Sequence, residues 1–241
     1  LFKLCSGFLC AGKANKFLYR LYGVPARKLF PFAYSWGYDS LLEKSAQLKP
    51  QRSRIRAELG IPEESLVILF CGRLSKEKNL VHLIEAYLQL DIGSKSLIFV
   101  GDGDLRHLLE VQVDQSGVDS VLFLGFQNRE QITKYYAISD LLVLPSVRET
   151  WGIVVNEALC FGLPVIITQQ VGAGRDLVTD GQNGYSVGPD IESLSHGLKE
   201  IAKLSDEDRG LMGQKSLEKI NEWLHRDLAS SLVEYIASIR G

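Results

Sequence analysis

The sequence predicts an α/β fold in which a parallel sheet is covered by helices on both faces. From about residue 53, short and wholly apolar runs alternate with segments whose apolar residues recur every three or four positions. Such runs are typical of parallel strands that are buried on both faces, with the amphipathic segments as covering helices. At 241 residues and 46% hydrophobic composition, the chain is large enough to bury a sizeable core. We therefore expect a doubly wound, Rossmann-like domain.

The first 38 residues form a pattern of their own. It predicts a strand over Phe8–Ala11, a helix over Asn15–Tyr22, a turn at Gly23–Pro25 and a strand over Lys28–Phe32. A single unit of this size is too small to fold alone. The chain also begins without a methionine and without the layout of a signal peptide. We expect residues 1–40 to be the tail of a truncated N-terminal domain.

Residues 41–205 are predicted to form the Rossmann-like domain itself. Its strands are expected at Leu66–Cys71, Ser96–Val100, Val121–Leu124, Leu141–Leu144, Val165–Thr168 and Tyr185–Val187. Residues 206–241 are predicted to form C-terminal helices. The apolar stripe of these helices is expected to comprise Trp223, Leu224, Leu228, Leu232, Ile236 and Ile239.

Charge is distributed unevenly along the chain, although the net charge is only −2. Residues 1–56 carry eleven Lys and Arg against two carboxylates, a net of +9, which leaves −11 for residues 57–241. This asymmetry indicates either a surface for anionic lipid or an acidic acceptor, or only the solvated faces of a truncated domain. Peripheral membrane contact therefore stays open. We expect no nucleic-acid partner, because the basic stretch contains no recognised binding module.

Cysteine spacing and hydropathy favour a cytoplasmic location. The four cysteines form no C-x-x-C pair, and Cys71 and Cys160 lie on apolar elements where small core residues are expected. No apolar run approaches the roughly 20 residues that a bilayer span needs. Both observations are compatible with a soluble protein in a reducing compartment.

Two glutamates eight positions apart form the most informative motif. Glu149 and Glu157 flank Gly152, where the apolar strand Leu141–Leu144 passes through a loop into a helix. In open parallel sheets, ligands bind at such turns, beyond the carboxyl ends of the strands. A helix N-terminus offers unpaired N–H groups to phosphate. A carboxylate one turn later can accept hydrogen bonds from the hydroxyls of a ribose, so the motif outlines a sugar-nucleotide site.

A basic loop follows the first strand of the same predicted domain. It reads Gly72-Arg73-Leu74-Ser75-Lys76-Glu77-Lys78-Asn79. Gly72 lets the backbone approach a ligand closely. Arg73 and Lys78 are placed to bracket a diphosphate, the arginine as a fork and the lysine as a point charge. Basic loops are usually only solvated, but this one is expected at the same sheet edge as the two glutamates.

Other turns at this edge allow more than one interpretation. Asp102-x-Asp104 matches a metal-binding spacing, but we expect Asp104 to cap a helix that begins at Leu105 instead, and we predict no metal site. Phe126 either meets a base or lies in the core. The loop Gly172–Asp176 is a hinge, a sugar-facing loop or a simple turn. The four histidines are scattered over predicted helices without ligand spacing.

A glycosidase with two catalytic carboxylates is one alternative for the glutamate pair. A hydrolase, however, has no use for a phosphate cradle made of Arg73, Lys78 and a helix N-terminus on the same rim. The combination therefore favours an enzyme whose substrate carries a diphosphate.

Several motifs, in order, resemble the donor-binding domain of retaining glycosyltransferases of family 4, which have the two-domain GT-B architecture. They are G-R-L-S-K-E-K-N, G-D-G, F-L-G, Y-Y-A-I-S-D-L-L-V-L-P-S, the E-x7-E of Glu149 and Glu157, E-A-L-C-F-G-L-P-V-I and D-G-Q-N-G-Y. The match covers about residues 60–205. The chain departs from the family in two places: Trp151 stands where Phe is usual, and the segment Ser35–Asp39 replaces the usual N-G-V-D.

The resemblance implies a role for each matching residue. Arg73 and Lys78 would contact the donor diphosphate, and Glu157 would bind the ribose hydroxyls. Glu149 would be the catalytic residue, placed beside the transferred sugar. The remaining donor-binding positions would be Gly72, Phe126, Trp151, Gly152, Ile153 and Val154.

The resemblance also implies a reaction. A UDP- or GDP-sugar would donate its sugar, with retention and without a metal or cofactor, to a glycan or lipid acceptor held by the missing N-terminal domain. The isolated chain would transfer little or nothing, because half of the cleft is absent. Two alternatives stay open: a sugar-nucleotide epimerase of the same fold, and a non-enzymatic nucleotide-binding module. An epimerase typically needs cleft histidines, which this half lacks.

Overall fold

A computed structural model describes residues 2–32, 37–224, 233 and 235–237. The first unit consists of β1 (Phe8–Cys10), α1 (Lys13–Leu21) and β2 (Leu29–Pro31). Its two strands pair in parallel, so the helix is a crossover between them. The predicted strand–helix–strand order is therefore confirmed, with the helix beginning two residues earlier than expected.

Six parallel strands form the main sheet. They are β3 (Leu66–Cys71), β4 (Lys95–Val100), β5 (Val121–Phe123), β6 (Leu141–Leu144), β7 (Val165–Thr168) and β8 (Gly184–Val187). Their order across the sheet is β5-β4-β3-β6-β7-β8. The chain thus builds outward from β3 in one direction and from β6 in the other. The strand order reverses between these two central strands, which are paired directly through Ile68 and Leu141.

Helices surround this sheet. Before β6 they are α2 (Tyr38–Leu48), α3 (Arg52–Glu58), α4 (Leu80–Leu88), α5 (Arg106–Ser116) and α6 (Arg129–Ile138). After β6 they are α7 (Ile153–Cys160), α8 (Gly174–Leu177), α9 (Ile191–Ala202) and α10 (Asp206–Leu224). Helix α4 packs on α5 and α9, whereas α7 packs on α2 and α10. The predicted doubly wound α/β fold is confirmed.

The central strands are apolar because both of their faces are covered. Every residue of β3, β6 and β7 is buried, whereas the edge strand β5 is only half-buried. Burial of one large aliphatic side chain contributes about 1.5–3 kcal/mol, so these strands supply much of the stability. Cys71 and Cys160 are buried in this core, as predicted. Among the described residues, no helix combines the length and the apolar character that a bilayer span requires.

The predicted helix cap at Asp104 is wrong. Helix α5 begins at Arg106, and no side chain caps it. The N–H of Leu105 donates instead to the carbonyl of Leu74 at 3.0 Å, which fixes the turn to the neighbouring loop. The Asp104 carboxylate points outward and pairs with Arg73 at 3.3 Å.

Only part of the predicted C-terminal apolar stripe lies within the described residues. Trp223 is buried, as expected, but Ile236 is 37% exposed. Tyr235, the residue before it, packs on Phe30 with ring centroids 4.9 Å apart. The side chain of Leu224 and all of Leu228, Leu232 and Ile239 lie outside the described residues, as do Ser35 and Trp36 of the replaced N-G-V-D segment.

A network of charged side chains, centred on a buried arginine, lies at the amino-terminal edge of the sheet. Arg56 of α3 is 2% exposed, donates to three backbone carbonyls and lies 2.8 Å from Asp140 Oδ2. Asp140 also accepts hydrogen bonds from Arg52 at 2.6 Å and from the N–H of Val67 at 2.7 Å. Burial lowers the pKa of Arg56, and the Asp140 carboxylate opposes that change. The network ties α3 to the starts of β3 and β6.

Candidate functional site

The predicted site residues gather at the opposite, carboxyl edge of the sheet. Gly72, Arg73 and Lys78 follow β3, and the loop from Glu149 to Gly152 follows β6. These two strands flank the point at which the strand order reverses. The loops are joined by a hydrogen bond from the N–H of Val147 to the carbonyl of Glu77 at 2.9 Å. Open α/β sheets bind ligands in the crevice at such a point.

Lys78 and Glu149 form a direct ion pair across this crevice. Their side chains are 17% and 19% exposed, so the pair is shielded from solvent but open to a ligand. The backbone holds Glu149 in place, because its carbonyl accepts from the N–H of Gly172 at 3.1 Å and it forms a bridge with Val171. A bound phosphate would compete with Glu149 for the lysine. The carboxylate would then be free to accept from hydroxyl groups.

The amino end of α7 opens onto the same crevice. Its N-cap is Gly152, whose φ of 91° lies in the left-handed region that favours glycine. A Cβ at this position would lie 2.8 Å from Cδ2 of Leu144, so packing also requires glycine. No side chain caps α7. The N–H groups of Ile153 and Val154, in its first turn, are therefore suited to bind an anion.

Glu157, one turn further along α7, is held by a tyrosine. The hydroxyl of Tyr136 donates to Glu157 Oε2 at 2.8 Å. Burial raises the pKa of the Glu157 carboxyl above its usual range, while the hydrogen bond from Tyr136 and the charge of Arg129 oppose part of that rise. Tyr136 itself is fully buried, and burial raises its pKa well above normal, so it stays a neutral donor. Glu157 is thus a half-buried carboxylate with capacity to accept further hydrogen bonds.

A cavity of about 420 Å³ adjoins the ends of β3, β4 and β5. Its lining includes Cys71, Gly72, Arg73, Phe126 and Ile132. Phe126 is 79% exposed, so the alternative that it is a core residue is wrong. An exposed ring at the rim of a cavity suits stacking on a planar base. The side chain of Arg73 is also largely exposed, and its solvated pair with Asp104 holds it only weakly.

The side chain of Trp151 is buried and does not line the crevice. It is 5% exposed, and its Nε1–H donates to Asn156 Oδ1 at 2.9 Å. Its ring stacks on Trp223 of α10 with centroids 5.2 Å apart. The carbonyl of Trp151 accepts from the N–H of Ala173 at 2.9 Å. Trp151 therefore anchors the loop of Glu149 to α7, α10 and the loop after β7.

Sequence reasoning did not single out Tyr136, Asn156 or Trp223 as parts of the site. Tyr136 lies in the Y-Y-A-I-S-D motif, but nothing in that motif reveals that its hydroxyl reaches Glu157. Asn156 lies immediately before Glu157, and a polar residue among the apolar residues of a helix is a sequence signal for a hydrogen-bonded core position; Asn156 is indeed buried.

Burial raises the pKa of the Cys71 thiol to about 12, so this residue of the cavity lining is a small neutral group.

The glycine-rich loop after β7 supports the site but carries no obvious ligand group. Gly172 has no room for a side chain, because a Cβ would lie 2.0 Å from the carbonyl oxygen of Thr150. Asp176, in the short helix α8 that follows, is 4% exposed. In the part of the chain that the structure describes, no three His, Cys, Asp or Glu side chains are grouped to hold a metal ion. His82 lies with Nδ1 3.0 Å from the carbonyl of Pro189.

Known proteins share this fold. The crystal structure of HepE from Anabaena in complex with UDP superposes with a TM-score of 0.81, covering 99% of this chain and 64% of that chain at 21% identity. A glycosyltransferase from Rickettsia africae gives a TM-score of 0.82 over 98% of this chain and 64% of that chain, at 16% identity. The architecture is that of GT-B glycosyltransferases.

Several known glycosyltransferases are also similar to this chain in sequence. An uncharacterised glycosyltransferase of Methanocaldococcus jannaschii is 34% identical over 71% of this chain and 43% of its own length. An alpha-monoglucosyldiacylglycerol synthase of Acholeplasma laidlawii is 28% identical over 64% of this chain and 39% of its own length. The chain therefore spans less than half the length of these relatives. Residues 51–219 match the family described as glycosyl transferases group 1, and the chain belongs to that family.

Proposed function

We propose that the whole protein transfers a sugar, with retention, from a nucleotide-diphosphate sugar to a hydroxyl of a sugar, lipid or polysaccharide. In this proposal the described domain is the donor-binding half. The observation that carries the proposal is the meeting of Lys78, Glu149, Glu157 and the uncapped amino end of α7 at the reversal of strand order. Groups that are chemically suited to bind a phosphate, a ribose and a hexose are therefore present there.

Each group has a distinct part in the proposed reaction. Lys78, Arg73 and the N–H groups of α7 bind the diphosphate and stabilise the negative charge that grows on it as the sugar departs. Glu157 accepts from the ribose hydroxyls, and the ring of Phe126 stacks on the base. Glu149, released from Lys78, lies beside the sugar and stabilises its transition state. In this scheme the two cations supply the charge that a divalent metal supplies elsewhere, so no metal or cofactor is needed.

UDP is the favoured nucleotide. HepE of Anabaena, whose structure covers 99% of this chain, was crystallised with UDP and with UDP-glucose. Several curated relatives are named for sugar transfer to lipids or lipopolysaccharide. Together with the net charge of +9 over residues 1–56, these names support an acceptor at a membrane surface and a cytoplasmic protein in peripheral contact with that surface.

Calorimetric titration of the purified chain with UDP, GDP and ADP tests the donor site. We expect UDP to bind and Glu157→Ala to weaken it by about 1–3 kcal/mol, the scale of hydrogen bonds to a charged group. Glu218→Ala is the matched control, because Glu218 lies on α10 with a partly exposed side chain paired to Lys215. An equal loss in both variants, or no loss in either, would refute the role of Glu157.

Product analysis with the full-length protein separates the remaining alternatives. A transferase releases free UDP and a glycoside, whereas an epimerase returns an isomerised UDP-sugar. A binding module does neither. If Glu149→Ala in the full-length protein left product formation unchanged, the proposed catalytic role would be wrong. Because this chain spans less than half the length of the Methanocaldococcus and Acholeplasma relatives, we also propose that it binds UDP without measurable turnover when isolated.

A further inference from the structure

Helix α1 takes its cap from the other half of the structure. Its N-cap is Gly12, which has no side chain to offer, and no neighbouring residue of its own unit caps its first turn. Instead, the N–H of Lys13 donates to Asp176 Oδ2 at 2.8 Å. Asp176 belongs to α8, 163 positions along the chain. A carboxylate at a helix amino end both accepts from an unpaired N–H and complements the helix dipole.

The contact leaves no space around Gly12. A Cβ at this position would lie 2.5 Å from Asp176 Oδ2 and 2.5 Å from Cζ3 of Trp151. The φ of Gly12 is −177°, an extended conformation that any residue adopts. Close packing, and not backbone strain, therefore requires glycine here. The amino end of α1 rests directly on the tryptophan that anchors the loop of Glu149.

A short chain of contacts connects this point to the proposed catalytic residue. Asp176 lies in α8, directly after the loop whose Gly172 N–H donates to the carbonyl of Glu149 and whose Ala173 N–H donates to that of Trp151. The ammonium of Lys13 donates to the carbonyl of Arg175 at 3.1 Å, a second bond between the same two elements. Movement of α1 away from α8 would break both bonds and expose the ring of Trp151.

We propose that Asp176 is an interdomain positioning residue that holds the acceptor-side unit closed against the donor half. By capping α1, it sets the distance between the acceptor side and Glu149. The inference rests on the proposed function, since it assigns α1 to the acceptor domain of a two-domain transferase. Asp176 touches neither substrate nor the reacting atoms in this scheme. Its effect is on the closed arrangement of the cleft.

The test uses the full-length protein with Asp176→Ala, Asp176→Asn and Gly12→Ala. Ser205→Ala is the matched control, because Ser205 caps α10 through the N–H of Asp208 at the far edge of the sheet. Three quantities are measured: sugar transfer, UDP affinity, and hydrogen exchange of the amides at the amino end of α1. The exchange measurement does not depend on activity, so it stays informative if the protein proves not to be a transferase.

We expect Asp176→Ala to lower kcat about tenfold, the scale of one lost charged cap, while UDP affinity changes less than about twofold. Amide exchange at Lys13 should rise by a similar factor. Asp176→Asn should recover most of kcat, because its amide oxygen still accepts from Lys13. Gly12→Ala should mimic Asp176→Ala, and Ser205→Ala should lower stability without changing kcat.

The inference is overturned if Asp176→Ala leaves both kcat and the exchange of α1 unchanged. It is also overturned if kcat and UDP affinity fall together, since Asp176 would then only stabilise the donor half. A third adverse result is an equal loss in Asp176→Asn and Asp176→Ala. If wild-type protein transfers no sugar to any acceptor, the proposed function fails, and the exchange data alone decide whether Asp176 caps α1.

Discussion

Replacing Gly152 with alanine tests the idea that the amino end of α7 is a preformed ligand platform. The substitution lowers the free energy of unfolding in two ways. An alanine at a φ of 91° loses about 1–2 kcal/mol, the cost of left-handed backbone for a residue with a Cβ. The new Cβ would lie 2.8 Å from Leu144 Cδ2, 3.1 Å from Val171 Cγ1 and 3.3 Å from Glu149 Cγ, and overpacking of this kind costs about 1–3 kcal/mol.

The expected loss for Gly152→Ala is therefore about 2–5 kcal/mol in the free energy of unfolding. Urea unfolding of the purified chain measures it. Gly117→Ala is the matched control, because Gly117 has a φ of 70° and no heavy atom within 4 Å of a built Cβ. The control carries only the backbone cost. The difference between the two variants therefore reports the clash in the loop of Glu149.

Ligand binding provides the functional half of this test. The clash pushes on Glu149 and on the first N–H groups of α7, so Gly152→Ala should weaken UDP binding where the protein is still folded. Gly117→Ala, at the end of α5, should bind UDP as the unaltered chain does. Equal unfolding losses in the two variants would refute the packing argument. Undiminished UDP affinity in folded Gly152→Ala protein would refute the platform.

Three further predictions concern single side chains. Burial raises the pKa of Glu157 above its unfolded value, so the stability from this group is complete below about pH 4.5 and is lost as pH rises through the folded pKa. Glu157→Gln should therefore unfold at a higher temperature than wild type at about pH 8 but not at about pH 4, in thermal scans. Phe126→Ala should weaken UDP by about 1–3 kcal/mol in calorimetry, with unfolding unchanged within about 0.5 kcal/mol, because the ring is 79% exposed. Asp140→Ala should lose about 3–5 kcal/mol in urea unfolding, since it leaves the buried guanidinium of Arg56 without its carboxylate; a loss below about 1 kcal/mol would contradict this.

The fold was predictable because the composition of each strand reflects how far its two faces are buried. A run such as Leu141–Leu144, apolar at every position, is stable only where both faces are covered. The predicted strand ends therefore all agree within one residue with those in the structure. The predicted helix cap at Asp104 failed for a physical reason. Whether a residue caps a helix depends on where the preceding turn is fixed, and here the N–H of Leu105 donates to the carbonyl of Leu74 on another loop.

The site was predictable only in part. The positions of Lys78 and Glu149 follow from topology, because loops after adjacent parallel strands meet at one edge. Contacts between distant elements do not follow from any local pattern. The Tyr136–Glu157 hydrogen bond spans 21 positions, and the bond between Lys13 and Asp176 spans 163. Both depend on the exact placement of packed elements, which no spacing in the sequence encodes.

The two glutamates of the motif have different electrostatic environments, and the difference bears on their proposed roles. Glu149 faces the ammonium of Lys78, which balances its charge, and in the proposed complex a competing anion would release it. Glu157 has a neutral tyrosine as its hydrogen-bond partner, and its burial raises its pKa. Burial thus imposes a desolvation cost on the Glu157 carboxylate that hydroxyl donors of a ligand would relieve. Because hydrogen bonds to a charge are stronger in such a low-dielectric setting, the burial that raises the pKa of Glu157 would also favour the proposed nucleotide complex.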